Sequence, residues 1–267
     1  NRVKIFYLDI GDSSKISSFF NKKDYDFIIH AAANFANQNS IDHPRKDMKT
    51  NILGTINILE CIKNKNLKKI IYLSSSCVYP SENNLTEQSK LRPVETPYAI
   101  SKFTSELYAE FYSSFYKLPI NIVRIFNTYG PGEKAHKYRN VIPNFINSAL
   151  KNKTITITGS GKEVRDFTYV EDVAEIIFKS LKLKKKRLQI INSCTGKGTK
   201  LINLAKKIKY LTGSKSKIKL TNKLRKWDQI KVRRGSVKQR ENLFGQTKLT
   251  SLNQGLESTI KWYKKNY

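Results

Sequence analysis

Cysteine is scarce in this chain of 267 residues, and its three copies are scattered at Cys61, Cys77 and Cys194. None of them belongs to a CxxC pair, so the sequence supports neither a disulfide framework nor a zinc site. We therefore expect a protein of a reducing compartment, the cytoplasm, that binds no metal.

Long apolar runs are also missing. No stretch approaches the roughly 20 apolar residues that a membrane-spanning helix needs, and no leader with a charged start and an apolar middle opens the sequence. We predict neither a membrane span nor secretion. A hydrophobic content of 39% is instead typical of a globular chain that buries a core.

Acidic residues are few: 21 Asp and Glu stand against 50 Lys and Arg, a formal net charge of +29. This balance suits nucleic acids, anionic membrane surfaces or acidic small substrates. The densest basic run, LKLKKKR at 181–187, follows a helical pattern as its solvated end would, and no aromatic-interleaved basic motif is present. We therefore interpret this basic run as a solvent-exposed surface. A nucleic-acid partner stays the alternative, and steep salt dependence would reveal it.

Glycine is rare near the start, where Gly11 is the one copy before residue 50. Sheets that bind dinucleotides normally open with a strand, a Gly-rich turn and a helix whose N–H groups hold the pyrophosphate. No such turn is found here, and we expect the first βαβ unit to be missing from this chain.

Four short apolar runs predict buried parallel strands, and helical patterns separate them. Strands that alternate with helices indicate βαβ units, so we predict an α/β fold with a doubly wound parallel sheet. The four predicted strands cover Val3–Ile10, Tyr25–Ala32, Lys68–Ser76 and Ile120–Asn127.

Two helical patterns stand out. The first places Met48, Ile52, Ile56 and Leu59 on one apolar stripe, and the second carries aromatic residues from 98 to 116. After residue 127 the pattern loosens. We therefore predict an incomplete nucleotide-binding domain at 1–127 and a smaller substrate-binding region at 128–267, of which about 166–193 returns to the sheet.

The segment TPYAISK places Tyr98 and Lys102 four residues apart, just after a proline that favours a helix start. At that spacing the two side chains are neighbours on one helix face. A phenol beside an ammonium is a pair suited to proton transfer.

Eight motifs occur in order between residues 8 and 174, within a resemblance that runs from Val3 nearly to the C-terminus: LDIGD, FIIHAAA, TNILGTINILE, LSSSCVYP, PYAISK, RIFNTYGPG, NVIPNF and VRDFTYVEDVA. Together they make the chain resemble the NAD-dependent sugar-nucleotide epimerase/dehydratase family, the extended short-chain dehydrogenases/reductases with a Rossmann-like fold. The resemblance implies an enzyme that binds NAD and a nucleoside-diphosphate sugar. NADP stays open as the cofactor.

In this resemblance Tyr98 is the base that takes the proton of the sugar C4 hydroxyl as its hydride leaves. Lys102 lowers the pKa of Tyr98 and holds the nicotinamide ribose, because an ammonium favours the phenolate. Ser75 aligns with the serine or threonine that hydrogen-bonds the reacting oxygen.

The same resemblance assigns a cofactor wall at the ends of the first strands. One carboxylate and one apolar residue would lie beside adenine, small residues would let the cofactor approach, and an amide would brace the wall. Besides Tyr98 and Lys102, the implied cofactor-binding residues are Asp9, Ile10, Ala31, Ala32, Ala33 and Asn51. His30 has no clustered partner in the sequence, so we expect a buried strand residue and no metal site.

For the sugar nucleotide, arginines suit a diphosphate because the guanidinium fork takes two oxygens at once. The resemblance assigns substrate binding to Ser76, Asn127, Asn140, Arg165 and Arg233. We expect Asp166 and Asp172 to serve in helix capping and first-turn charge, with no catalytic role.

Dehydratases of the family carry an acid pair where this chain has Ser76 and Cys77, so elimination lacks its acid and base. Relatives that epimerise at C3 and C5 pair a cysteine with a histidine, and Asn140 fills the histidine position here. We expect a C4 epimerase that works as a homodimer through its aromatic and Met48 helices. One alternative is a 4-keto sugar reductase or dehydratase. The other is a non-catalytic fragment that binds sugar nucleotides or a partner, and Ser236, which stands where the family has an aspartate, supports this second alternative.

Overall fold

The computed structural model describes residues 3–184, 188–221 and 225–267. Helices and strands alternate along these segments, which confirms the α/β class. The helices are α1 (Ser13–Phe20), α2 (Asn37–Asp42), α3 (Pro44–Met48), α4 (Gly54–Ile62), α5 (Pro97–Phe115), α6 (Val141–Leu150), α7 (Val170–Leu181), α8 (Leu201–Thr212), α9 (Lys238–Phe244) and α10 (Leu252–Asn266).

A π-helical turn, Lys49–Leu53, joins α3 to α4, and a 3₁₀ turn, Ser76–Val78, follows the second strand. The strands are β1 (Phe27–His30), β2 (Lys69–Ser75), β3 (Glu82–Leu85), β4 (Ile120–Ile125), β5 (Thr128–Tyr129), β6 (Ile155–Ile157), β7 (Val164–Asp166), β8 (Thr168–Tyr169), β9 (Gln189–Ser193), β10 (Gly198–Lys200), β11 (Ile218–Leu220) and β12 (Val232–Gly235).

The chain forms two compact units and passes between them several times. Unit 1 comprises Asn1–Ser74, Thr96–Val123 and Ser180–Ile190, and unit 2 comprises Ser75–Glu95, Arg124–Lys179 and Ile191–Tyr267. The sequence suggests a division near residue 127, with only 166–193 returning.

The main sheet has the strand order β1-β2-β4-β9. β1 and β2 run parallel, with Phe27 opposite Lys69 and His30 opposite Tyr72. Three of the four predicted strands are confirmed as β1, β2 and β4, each somewhat shorter than predicted.

The prediction of a strand at Val3–Ile10 is wrong. Residues 3–9 have no regular secondary structure, and Tyr7 is 94% exposed. A strand exists through hydrogen bonds to a neighbour, and no described strand pairs with this segment. Apolar composition alone therefore does not make it a strand.

The core of unit 1 lies between the main sheet and helices α1, α4 and α5. Its buried members include Phe20 of α1, Ile62 of α4, Tyr72 of β2, Tyr112 of α5 and Ile122 of β4. Helices α2 to α5, with the π-helical turn, pack against one another at the first half of α5. This packing holds Tyr98 and Lys102 in place.

The apolar stripe predicted to start at Met48 is not the buried face of this helical segment. Met48 is 48% exposed, and the buried face one position earlier carries Asp47, Asn51 and Thr55 before it reaches Leu59. The π-helical turn shifts the faces of the helix. Polar residues are buried here because the facing part of α5 is itself polar and supplies hydrogen-bond partners.

Unit 2 contains a four-stranded sheet of order β10-β7-β12-β3 and two smaller pairs, β11-β6 and β5-β8. Strand β12 is parallel to both β7 and β3. Helices α6, α8 and α10 cover a second core that includes Phe145, Ile146, Leu204 and Tyr263. A capping box at Ser251 starts α10, with Gln254 as its partner.

The basic run at 181–187 lies partly outside the described residues, so its predicted solvated face cannot be followed beyond Lys184. Within the described segments, no helix combines the length and the apolar character that crossing a bilayer requires.

Candidate active site

Tyr98 and Lys102 lie on the first turns of α5, as predicted from their spacing. Thr96 caps this helix by accepting a hydrogen bond from the N–H of Ala99 at 3.2 Å, and Pro97 occupies the first turn. Both side chains face inward: Tyr98 is 7% exposed and Lys102 is 3% exposed. The N-terminus of α5 therefore presents a phenol and an amine together on a buried face.

The ammonium of Lys102 has few polar neighbours. Its Nζ donates to the carbonyl oxygen of Leu73 at 2.5 Å and lies 4.3 Å from the ring centroid of Tyr72. Burial lowers the pKa of Lys102 to about 7, against the opposing effect of the Glu106 and Asp47 carboxylates. The amine can therefore change protonation state near neutral pH, which an exposed lysine cannot do.

Tyr98 is held through its backbone and its ring. Its N–H donates to the hydroxyl of Ser40 at 3.0 Å, and its ring meets that of Phe35 edge to face at 5.9 Å. These contacts fix the start of α5 against α2 and the loop before it. The phenol therefore has a defined position.

Asn51 is the centre of a buried hydrogen-bond network. Its Oδ1 accepts from the N–H of Asn34 at 2.7 Å, and its Nδ2 donates to the carbonyl of Asn34 at 3.3 Å. Nδ2 also donates to Asp47 Oδ1 at 2.9 Å and to Ser101 Oγ at 3.0 Å. Asn51 thus ties the loop after β1 to α3 and α5.

Asp9 and Ile10 are anchored to the helices near Asn51. Asp9 accepts from the N–H of Gly11 at 2.9 Å and forms an exposed ion pair with Lys49 at 3.7 Å. The carbonyl of Ile10 accepts from Asn57 Nδ2 at 2.9 Å. A Cβ on Gly54 would lie 2.6 Å from the side chain of Ile10, so only glycine allows this approach.

The three alanines directly after β1 leave an open wall. Ala31 and Ala32 are exposed and Ala33 is half-buried. No side chain there extends beyond Cβ. A flat ligand can therefore approach this backbone closely, which is what the predicted cofactor role requires.

Ser75 and Ser76 begin unit 2 at the 3₁₀ turn. Ser75 Oγ accepts from the N–H of Cys77 at 3.2 Å and caps this turn, and both serines are largely buried. The segment is fixed further on, where the carbonyl of Tyr79 accepts from Arg233 at 2.7 Å. The turn that carries the predicted substrate residue Ser76 is thus bonded, through Tyr79, to the predicted substrate residue Arg233.

Arg165 and Arg233 occupy facing positions of β7 and β12. Arg165 pairs with Asp228 at 3.1 Å, and burial lowers its pKa, with Arg233 among the charges that add to this effect. Cys77 also acts electrostatically on Arg165. Two guanidinium groups and the turn after Ser75 therefore lie in one part of unit 2.

The two predicted asparagines differ in their surroundings. Asn127 Nδ2 donates to the carbonyl of Asp166 at 2.9 Å, which links it to the end of β7. Asn140 occupies the N-cap position of α6 without a side-chain capping bond, and its carbonyl accepts from Asn144 at 3.1 Å.

Asp166 does not cap a helix, in contrast to the prediction. It ends β7, and its carboxylate accepts from the N–H groups of Thr195 and Gly196, both at 2.9 Å, and from the Thr195 hydroxyl at 2.6 Å. Asp172 does lie in the first turn of α7, where it accepts from the N–H of Thr250 at 2.9 Å. Both carboxylates hold loops in place.

His30 is buried in β1, and its Nε2 shares a hydrogen bond of 2.9 Å with the hydroxyl of Thr55. Burial and the charge of Lys102 lower its pKa to about 3, so the ring is neutral. Among the described residues, no three His, Cys, Asp or Glu side chains are grouped as metal ligands would be.

Sequence reasoning missed Asp47 and Ser101. Asp47 lies one helical turn before Asn51, and Ser101 lies between Tyr98 and Lys102. The sequence does contain a sign of this buried network, because Asp47 and Asn51 are four residues apart and so share one helix face. The prediction of an apolar stripe that starts one residue later, at Met48, obscured it.

Comparison with known proteins extends the match to nearly the whole chain. The model of the NAD dependent epimerase/dehydratase family matches residues 1–192. A putative UDP-glucose 4-epimerase of Methanocaldococcus jannaschii is 32% identical over 260 residues, 97% of this chain and 83% of that protein. A UDP-glucuronate 4-epimerase of Thermodesulfobacterium geofontis is 31% identical over 265 residues, 98% of this chain and 80% of that protein.

Among solved structures, the UDP-glucose 4-epimerase of Thermotoga maritima with UDP-glucose has a TM-score of 0.92 at 27% identity, covering 99% of this chain and 86% of that one. The matched family range contains Tyr98, Lys102 and Asn51. On the combined evidence of motifs, fold and relatives, the chain belongs to the NAD-dependent epimerase/dehydratase family of enzymes.

Proposed function

We propose that this chain catalyses the C4 epimerisation of a nucleoside-diphosphate hexose through a 4-keto sugar, with NAD as its cofactor. The observation that carries the proposal is the shared buried face of Tyr98 and Lys102 at the start of α5. The names of the two curated relatives, a UDP-glucose and a UDP-glucuronate 4-epimerase, support this reaction and a UDP-sugar as substrate.

The residues of unit 1 fit NAD. The wall formed by Ala31, Ala32 and Ala33 is open, and the carboxylate of Asp9 is partly exposed beside Ile10. NAD, when bound there, would supply hydride transfer to and from C4. NADP would use the same wall, and a direct binding comparison distinguishes the two.

The proton of the C4 hydroxyl needs a base while the hydride leaves. A free phenol has a pKa near 10 and is a poor base at neutral pH, but a neighbouring ammonium favours its phenolate. Tyr98 takes this proton, and Lys102 supplies the ammonium and a donor for the ribose. Ser75 orients the reacting oxygen. After the keto sugar has turned, the phenol of Tyr98 returns the proton to O4 while C4 regains its hydride on the opposite face.

The side chains of unit 2 suit the rest of the substrate. The facing pair of Arg165 and Arg233 offers two forks to a diphosphate, whose negative charge offsets their repulsion. Asn127, Asn140 and Ser76 complete the proposed binding surface as hydrogen-bonding groups. A homodimer is the proposed working form.

A dehydratase of the same family is the second candidate, since a dTDP-D-glucose 4,6-dehydratase of Dictyostelium discoideum is 38% identical over 183 residues, 64% of this chain and 41% of that protein. Elimination needs an acid and a base beside the reacting carbon. The chain has Ser76 and Cys77 at the corresponding positions, and neither is a carboxylic acid. Epimerisation is therefore the favoured reaction, and a 4-keto reductase would use the same three residues in one direction.

The test is incubation with UDP-glucose, UDP-glucuronate and UDP-N-acetylglucosamine in the presence of NAD, with products identified by NMR. We expect the C4 epimer with deuterium at C4 retained when the substrate is labelled there. Loss of water would instead identify a dehydratase. Reduction of a 4-keto sugar without the reverse reaction would identify a reductase. No product and no sugar-nucleotide binding would leave the non-catalytic alternative.

A further inference from the structure

Asp47 is a carboxylate in an unusual place. It lies in α3 and is 1% exposed. Its Oδ1 accepts from Asn51 Nδ2 at 2.9 Å, whereas its Oδ2 is buried without a hydrogen-bond partner among the described residues. Burial raises the pKa of Asp47, and the side chains of Ser101 and Asn34 and the charge of Lys102 act against this rise. Burying a carboxylate with so few partners costs stability.

Hydrogen bonds connect Asp47 to the start of α5. Asn51 Nδ2 bonds Asp47 and also Ser101 Oγ, which in turn donates to the carbonyl of Tyr98 at 3.1 Å. Ser101 directly precedes Lys102 in the chain. The carboxylate is thus linked, through one amide and one hydroxyl, to the helical turn that carries both proposed reactive side chains.

Asp47 also balances charge. The titratable groups around Lys102 are His30 of β1, Tyr72 of β2, Asp47 of α3, and Tyr98 and Glu106 of α5. Burial keeps the imidazole of His30 and the phenol of Tyr72 neutral, since it lowers the pKa of His30 and raises that of Tyr72. Besides the Leu73 carbonyl and the Tyr72 ring, the Glu106 and Asp47 carboxylates offset the cost of burying the ammonium, and both act to raise the pKa of Lys102.

We propose that Asp47 is a positioning residue of the reaction site: it fixes the amide of Asn51 by a hydrogen bond and is the buried counter-charge that keeps Lys102 in its ammonium form. The inference rests on the proposed function, because it assigns Asp47 a part in the same site. Glu106 shares the electrostatic role but lies on the helix of Lys102, whereas Asp47 is also bonded to Asn51, which joins Asn34 to that helix.

The direct test observes Lys102 without any substrate. Lysine labelled with ¹³C at Cε is incorporated, the signal of Lys102 is assigned by its loss in Lys102→Met, and its chemical shift is followed with pH. We expect Asp47→Asn to lower the titration midpoint of Lys102 by about one pH unit, the effect of removing a nearby opposite charge. An unchanged midpoint would overturn the proposal.

Ser101→Ala is the matched control. It removes one partner of Asn51 and leaves the carboxylate, so the Lys102 midpoint should stay where it is in the wild type. If Ser101→Ala moves the midpoint as much as Asp47→Asn does, the network acts through shape alone and the charge role is wrong.

A measurement on the wild type covers the case in which Asp47→Asn does not fold. The carboxyl carbon of Asp47, assigned through its backbone, should titrate below the Lys102 midpoint, so that both groups are charged together at neutral pH. A carboxyl that is still protonated at the Lys102 midpoint would overturn the counter-charge role without any variant.

Kinetics separate this inference from the proposed reaction. In an active enzyme, Asp47→Asn should move the alkaline limb of the kcat/KM profile to lower pH by the same amount as the Lys102 midpoint. If the wild type turns over no sugar nucleotide while Asp47→Asn still lowers that midpoint, the reaction assignment fails and the role of Asp47 stands. If turnover is present and neither quantity moves, the role of Asp47 fails alone.

Discussion

Arg165 and Arg233 lie directly opposite each other on two parallel strands, β7 and β12. Like charges at facing positions repel each other, and the burial of Arg233 and the 12% exposure of the Arg165 side chain strengthen the effect. Asp228 compensates Arg165 in part, with a 3.1 Å ion pair. An arrangement that costs stability in this way is typical of a site for an anionic ligand.

We therefore predict that Arg233→Lys weakens the binding of UDP about 10- to 100-fold, because one charge-assisted hydrogen bond is worth about 1.5–3 kcal/mol and lysine cannot offer the planar fork. Isothermal titration with UDP measures the effect. Arg234→Lys is the matched control, since the next residue of a strand points to the opposite face. Equal losses in both variants would contradict a diphosphate site at Arg233.

Tyr98→Phe should remove the base and keep the fold. We expect kcat to fall by about 10²- to 10⁴-fold, the usual contribution of a general base, with thermal unfolding close to that of the wild type. Tyr108→Phe, an exposed position of the same helix, serves as the control. Retention of most activity in Tyr98→Phe would exclude this tyrosine as the base.

Lys102 should give the protein a measurable pH dependence of stability. Its folded pKa of about 7 lies below its ordinary value of 10.5, so between these values the unfolded chain binds more protons than the folded one. The free energy of unfolding should therefore rise with pH across this window, by up to about 1.4 kcal/mol per pH unit.

Urea unfolding of the wild type and of Lys102→Met from about pH 6 to about pH 10 tests this slope. Other groups titrate in the same range, so the difference between the two proteins is the relevant quantity. We expect Lys102→Met to be more stable at low pH and to lose this advantage as the pH rises. Parallel curves would show that Lys102 is not shifted.

Gly54 allows Ile10 to lie against the start of α4. Gly54→Ala would place a Cβ 2.6 Å from Ile10 Cδ1 and Cγ1, and we expect a destabilisation of about 1–3 kcal/mol with weaker NAD binding. Truncation of the opposing side chain in the double variant Gly54→Ala with Ile10→Ala should restore part of the lost stability, because the added Cβ then has room. No loss in the single variant would mean that Ile10 does not form the cofactor wall.

The exposed face of α5 is the proposed dimer surface. Leu107, Phe111 and Phe115 are exposed there, and the last two rings stack at 5.4 Å. We predict that Phe111→Glu converts a homodimer into a monomer, because an apolar interface does not tolerate an unpaired charge. Light scattering after gel filtration measures the mass. Tyr210→Glu, at an exposed aromatic residue of α8, should have no effect, and a monomeric wild type would contradict the prediction.

Much of the fold was predictable, because local chemistry and tertiary packing agree there. The apolar runs of β1, β2 and β4 predict strands, and Pro97 predicts the start of α5. The pairing of Tyr98 with Lys102 follows from helix geometry alone. These features depend on residues close in sequence.

Other features depend on distant partners. The segment around Tyr7 has the composition of a strand but no described strand to pair with, and the buried face near Met48 is polar because Ser101 and Ser105 of α5 meet it. A pattern of apolar residues cannot show a π-helical turn or a facing polar surface.

The sequence by itself determined the alternation of strands and helices, the position of the phenol and the amine on one helix face, and the supply of arginines for an anion. Only the tertiary structure decided that Arg165 faces Arg233, that Asn51 joins three segments, and that Asp47 is buried near the ammonium of Lys102. The reason is physical: periodicity reports which face of an element is apolar, whereas burial, pKa and hydrogen bonding depend on the side chains that a distant part of the chain brings against that face.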